Sequence, residues 1–144
     1  MFKSTDGGRT WITPDVSLTE SVCSQSISSL AIDPRNPNTI YAATSDCNDQ
    51  GGSLWKSVDG GTRWLKITYV LGYGNPLAID PQGAVYVNNG GIARSMDGGE
   101  SWTMLNPALP DGFPICSFAI DPLNPSNIYA GTFGDGVFAL TIQP

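Results

Sequence analysis

The strongest constraint on the fold of this chain is a nine-residue segment that occurs three times. Lys3-Ser-Thr-Asp-Gly-Gly-Arg-Thr-Trp11, Lys56-Ser-Val-Asp-Gly-Gly-Thr-Arg-Trp64 and Arg94-Ser-Met-Asp-Gly-Gly-Glu-Ser-Trp102 share a base, Ser, any residue, Asp, Gly, Gly, two further residues and Trp. From Asp6 to Asp59 is 53 residues, and from Asp59 to Asp97 is 38. A second segment alternates with the first. It reads Leu30-Ala-Ile-Asp-Pro34, Leu77-Ala-Ile-Asp-Pro81 and Phe118-Ala-Ile-Asp-Pro122, each ahead of an apolar run such as Ile40-Tyr-Ala-Ala-Thr44. Recurrence at such intervals marks an array of like units, each burying its apolar faces only against its neighbours.

One cycle holds four short runs of strand character, 27–32, 39–44, 53–57 and 63–68, designated A to D. The A–B turn is Asp-Pro: the carboxylate accepts from the backbone two residues on, and proline presets φ. The C–D turn is Asp-Gly-Gly, in which glycine supplies positive φ and the Asp carboxylate accepts from N–H groups of the tight loop. Repeated four-stranded antiparallel units read as blades, so the expected fold class is an all-β propeller. Ser4, Asp6, Gly7, Gly8, Ser57, Asp59, Gly60, Gly61, Ser95, Asp97, Gly98 and Gly99 are thereby assigned to hairpin structure. Trp11, Trp64 and Trp102 are expected to lay their rings over the hairpin or the neighbouring blade. Trp55, aligned with Phe2 and Phe138, is expected in the core, so all four tryptophans are assigned to packing.

The chain divides into strands C and D of a first blade (1–15), a second blade (27–68), a third (75–106) and strands A to C of a last blade (115–142). About three blades are too few, because propellers close with roughly four to eight and open sheet edges invite pairing. The final run Gly136-Val-Phe-Ala-Leu140 aligns with the C strands, but Ala139 replaces the base, Leu140 the Ser and Ile142 the Asp. The expectation is an incomplete propeller, the carboxyl-terminal part of a longer one. Its partners are then the remaining blades or, as the alternative, a second copy of the chain.

Composition narrows the chemistry. The chain has 144 residues, 40% hydrophobic and 14% charged, which suits a folded domain. A formal charge of -6 opposes nucleic-acid binding, and the absence of histidine removes histidine-ligated metals and serine-histidine triads. No apolar run approaches the ~20 residues that span a bilayer, and no signal-peptide pattern is visible.

The repeat also sorts charge by face. Asp6, Asp33, Asp59, Asp80, Asp97, Glu100 and Asp121 belong to A–B and C–D turns on one face, where turn chemistry accounts for them. Asp15, Glu20, Asp46, Asp49, Asp111 and Asp135 belong to the B–C and D–A connections on the other. The seven bases, Lys3, Arg9, Arg35, Lys56, Arg63, Lys66 and Arg94, lie outside those connections. The loop face is therefore acidic, attracting cations and repelling anions.

Both segments resemble the Asp-box (BNR) repeats of propellers that include sialidases, xyloglucan-hydrolysing glycoside hydrolases, sortilin-type receptors and photosystem II assembly-factor-like proteins. The resemblance covers nearly the whole chain. One departure is Arg63, where the family has Thr or Ser before the Trp, as at Thr10 and Ser101, so the second hairpin is expected to be looser. Likeness to sialidases implies an arginine cluster that the loop face lacks. Likeness to xyloglucan hydrolases implies two carboxyl groups, roughly 6.5–9.5 Å apart for an inverting mechanism. Asp46 or Asp49 with Asp111 or Asp135 are the candidates for that pair, and Tyr73, Phe113 and Phe133 are candidates for stacking on sugar rings.

The leading expectation is a non-catalytic binding or scaffold module whose carbohydrate or protein ligand meets Asp46, Asp49, Tyr73, Asp111, Phe113, Phe133 and Asp135. The alternatives are a fragment of a glycoside hydrolase acting on a neutral polysaccharide, and an assembly factor for a membrane protein complex. The resemblance implies a secreted or cell-surface location. No cofactor is expected; calcium held by Asp46, Asn48 and Asp49 is the weaker alternative, since that spacing matches no defined calcium loop. If Ile32 faces Ile40, Cys23 and Cys47 meet at the end of one hairpin, either as a disulfide or as two thiols. Cys116 has no evident partner and no histidine to activate it.

Overall fold

The computed structural model describes residues 2–13, 26–45, 51–71, 75–105 and 114–142. Eleven strands form three antiparallel sheets, each in chain order. The first sheet holds β1 (Ser26–Ile32), β2 (Ile40–Ser45), β3 (Gly51–Ser57) and β4 (Leu65–Leu71). The second holds β5 (Leu77–Ile79), β6 (Val85–Asn88), β7 (Ile92–Ser95) and β8 (Thr103–Met104). The third holds β9 (Ile115–Ile120), β10 (Asn127–Thr132) and β11 (Val137–Thr141). Ahead of them, Lys3 and Ile12 form an antiparallel bridge, each N–H donating to the other's carbonyl at 2.8 Å. The sheets are blades of a β-propeller, and their first strands β1, β5 and β9 lie side by side.

The alternation of side chains along each strand explains the stacking. Tyr41, Ala43 and Leu54 of the first sheet meet Leu77, Val85, Val87 and Ala93 of the second, with Trp102 packed against them. Ala84, Tyr86 and Ile92 on the reverse of the second sheet meet Ile115, Ile128 and Ala130 of the third. Both faces of a middle blade are thus buried, so its strands are apolar in both phases of the period-two pattern. Ala42, Trp55 and Trp64 pack together on the remaining face of the first sheet.

The details depart from the sequence expectation in four places. First, strand four of the first sheet starts at Leu65 rather than 63, because Asp59 Oδ1 accepts from the N–H groups of Thr62 (3.0 Å) and Arg63 (2.8 Å) and keeps both in the turn. Second, Ile32 does face Ile40, but a bulge at Ser28 shifts the register, so that Ile27 faces Thr44 and Ser26 faces Ser45. The same bulge recurs at Cys116, between Ser117↔Gly131 and Ile115↔Thr132. Third, Trp11 is largely exposed, its ring lying against Gly8 of its own hairpin, with no neighbouring blade over it among the described residues. Fourth, Phe2, expected to match buried Trp55, is exposed for the same reason.

Candidate functional site

The three Ser-x-Asp-Gly-Gly hairpins are built alike. Ser4 Oγ donates to Asp6 Oδ1 (2.8 Å) and accepts from Gly8 N–H (2.7 Å); Asp6 Oδ1 accepts from Arg9 and Thr10 N–H at 3.0 and 2.9 Å. Ser57 and Asp59 repeat this pattern, as do Ser95 and Asp97. The hydroxyls of Thr10 and Ser101 also donate to the second carboxylate oxygen. Arg63 offers no hydroxyl; its Nε instead stands 3.9 Å from Asp59 Oδ2. The departure thus costs one side-chain bond and leaves the backbone set intact. The Thr10 hydroxyl, with backbone N–H donors, lowers the Asp6 carboxyl to about 2. Ser101 acts on Asp97, and the Arg63 N–H on Asp59, in the same direction. Carboxylates held ionised by their own hairpins are poor general acids, so these turns are scaffold.

A base joins each of the second and third hairpins to the blade before it. Lys3 Nζ donates to Gly60 O (2.5 Å), and Lys56 Nζ donates to Gly98 O (3.0 Å), where Tyr41 Oη also donates. Near the third member, Tyr86 Oη donates to Asp80 Oδ2 at 3.0 Å, and burial with that bond pushes the phenol up to about 12. These bases serve packing between blades, on the face away from the B–C and D–A connections.

The roots of those connections are tied by amides. Asn75, at φ 38, donates through Nδ2 to Thr44 O (2.8 Å) and Gly51 O (3.1 Å), linking the D–A connection to both ends of the preceding B–C connection. Its Oδ1 is buried without a partner. Asn88 Nδ2 donates to Ile115 O (3.4 Å), and Phe133 N–H donates to Pro114 O (3.0 Å). Sequence patterns missed Asn75 and Asn88; Asn75 carried one signal, its place between Gly74 and Pro76, while Asn88, between Val87 and Asn89, carried none.

Of the loop-face candidates, the structure places Phe133 and Asp135 together. Both are exposed on the β10–β11 hairpin, two residues apart, Phe133 just ahead of Gly134 and Asp135 between Gly134 and Gly136, whose φ are 103 and 81. Thr132 closes the hairpin, its N–H and Oγ1 each donating to Gly136 O at 2.9 Å. Asp46, Asp49, Tyr73, Asp111 and Phe113 lie outside the described residues, as do Cys23, Cys47 and Asn48. Cys116 is a free, exposed thiol. Among the described residues no group of three or more His, Cys, Asp or Glu is placed to hold a metal ion, and no helix is long and apolar enough to cross a membrane.

No protein-family model matches the chain, and no curated protein matches it. Among solved structures it is similar to the GH74 enzyme of Niastella koreensis, with a TM-score of 0.64 and 24% identity over 81% of this chain and 21% of that one. The chain therefore spans about a fifth of that enzyme's length. At this identity the likeness shows the fold alone, that of a β-propeller.

Proposed function

We propose that this chain is part of an Asp-box propeller of glycoside-hydrolase type whose loop face binds a neutral polysaccharide. The observation that carries this reading is the pairing of Phe133, 74% exposed, with the exposed carboxylate of Asp135 on one glycine-flanked hairpin. An aromatic ring offers the apolar face of a sugar a flat platform, and a carboxylate beside it accepts from sugar hydroxyls. The described bases lie toward the opposite face or within the blades, so an anionic glycan gains no counter-charge and a neutral one loses nothing. The likeness to a GH74 enzyme supports carbohydrate as the ligand class. In the second reading Asp135 is one member of an inverting carboxylate pair, and the chain contributes to hydrolysis.

Titration calorimetry with xyloglucan oligosaccharides, mixed-linkage β-glucan and a sialylated glycan tests the first reading. The neutral glycans are expected to bind and the sialylated one not, with Phe133→Ala weakening binding at least tenfold, about 1.4 kcal/mol. Binding that is indifferent to Phe133→Ala, or that prefers the anionic glycan, overturns it. Release of reducing ends that disappears in Asp135→Ala would establish the second reading.

A further inference from the structure

An asparagine loses its side-chain amide when the backbone nitrogen of the next residue attacks the side-chain carbon, so a following proline, which has no N–H, protects it. Asn36, Asn75, Asn106 and Asn124 all precede proline. Asn38 precedes Thr39, whose N–H donates to Asn36 O at 2.8 Å, and Asn127 precedes the branched Ile128 within β10. Asn88 is 3% exposed, and the N–H of the residue after it donates to Gly91 O at 2.8 Å. Asn48, ahead of Asp49, lies outside the described residues.

Asn89 is placed differently. It precedes Gly90, which has no side chain to hinder the attack, at the tip of the β6–β7 hairpin beyond the last ladder pair, Asn88↔Ile92. Gly90 is exposed, its N–H has no acceptor among the described residues, and a Cβ built on it would meet nothing within 4 Å. Asn88 braces the turn, its Oδ1 accepting from Gly91 N–H at 3.2 Å. A rearranged link between Asn89 and Gly90 therefore breaks no ladder pair and has room to form. The tip also adjoins the candidate site. Asn88 Nδ2 donates to Ile115 O and Phe133 N–H donates to Pro114 O, so the two connections hang from successive carbonyls.

We propose that Asn89 is a modification site at which the folded chain deamidates without an enzyme, converting a neutral loop-face tip into an anionic one. The Gly90 nitrogen gives up its proton and bonds to Asn89 Cγ; the Cγ–Nδ2 bond breaks, and Nδ2 leaves as ammonia with that proton. A five-membered succinimide remains. Water then adds to one of its two carbonyls. Opening at Cγ restores the ordinary backbone with aspartate at this position, whereas opening at the main-chain carbon leaves isoaspartate, with the chain running through the side-chain carbons. Water is the co-reactant, and no electron changes hands. Either product adds one negative charge beside Phe133 and Asp135, on a face whose chemistry depends on charge.

Mass spectrometry on the purified full chain, held folded in warm, mildly alkaline buffer, tests this, with Asn89→Gln and a urea-unfolded sample alongside. The folded chain is expected to gain about 1 Da as the amide becomes a carboxyl group, and fragmentation should place the gain on Asn89. Isomerisation at the Asp-Gly pairs changes no mass, so it does not enter this reading. Anion exchange should resolve the product as a later-eluting form, and Asn89→Gln should show neither change. An unchanged mass in the folded chain overturns the proposal, and if the unfolded sample does gain mass the hairpin itself is what prevents the attack. A gain that maps to another asparagine, or that survives Asn89→Gln, overturns it as well.

Discussion

Ser57→Ala and Ser4→Ala remove the same hydroxyl from two copies of one hairpin, and the structure separates their costs. Ser57 Oγ accepts from Gly61 N–H at 2.8 Å and donates to Asp59 at 2.9 Å; Ser4 Oγ accepts from Gly8 N–H at 2.7 Å and donates to Asp6 at 2.8 Å. The geometry is shared but the surroundings are not, because Ser57 and Gly61 are buried while Ser4 is half-buried, Gly8 is exposed and the bond between them is open to solvent. A buried N–H that loses its acceptor costs about 1–3 kcal/mol, whereas an exposed one turns to water and the loss stays under about 1 kcal/mol. With a urea slope of about 2 kcal/mol per molar, Ser57→Ala should lower the midpoint by about 0.5–1.5 M and Ser4→Ala by much less. Equilibrium urea unfolding followed by tryptophan fluorescence and circular dichroism measures both. Equal shifts would refute the reasoning, since they would mean that hairpin geometry alone, and not burial of the bond, sets its value.

Acid should act through the same hairpins. Asp6, Asp59 and Asp97 all have carboxyls lowered from 3.8 by hydrogen bonds formed in the fold, so their stabilisation is complete above that value and is lost as pH falls; for Asp6 the loss runs down to about 2. Thermal melts should therefore be flat from pH 7 to 5 and fall steeply below 4, and Asp97→Asn should flatten that fall. Gly52→Ala places a Cβ 1.6 Å from the carbonyl oxygen of Thr44, so the backbone must move and the cost should exceed about 3 kcal/mol. Gly7→Ala meets open space and should cost only the strain of φ 73, about 1 kcal/mol, in the same unfolding assay. Trp64→Ala should cost about 3–5 kcal/mol, because the ring is buried and its Nε1 donates to Gly61 O. Trp11→Ala, in the equivalent but exposed place, should cost under about 1 kcal/mol.

What was legible in the sequence is what the physics of a repeat requires to recur. Ser, Asp and Gly stand at fixed intervals because one hydroxyl, one carboxylate and a left-handed backbone are needed to close the hairpin, so the four-stranded cycle could be read from spacing alone. The bulge at Ser28 and Cys116 could not, since its residue makes no demand on side-chain type and Ser and Cys share no obvious pattern. The exposure of Trp11 and Phe2 was misread because burial of a repeat residue depends on its neighbour, and a motif carries no information about whether that neighbour stands beside it. Asn75 was missed because its two acceptors, Thr44 O and Gly51 O, are 31 and 24 residues away and no local rule connects them.

The candidate site is hard to read for the opposite reason, and that reason gives a way to find it. Residues that recur in every blade are accounted for by the blade, so ligand chemistry should sit where equivalent positions differ. The B–C connection of the second sheet is Asn89-Gly90-Gly91, closed by Gly91 N–H donating to Asn88 Oδ1 at 3.2 Å, with no aromatic or charged group. Its equivalent in the third sheet is Phe133-Gly134-Asp135-Gly136, of similar length and likewise hinged on glycine. The backbone needs are alike, so turn formation does not call for a phenyl ring and a carboxylate at exposed positions. The ring at this tip is 74% exposed and so open to a ligand, beside the exposed Asp135 carboxylate. The difference between these two connections is the physical ground for placing a ligand at Phe133 and Asp135.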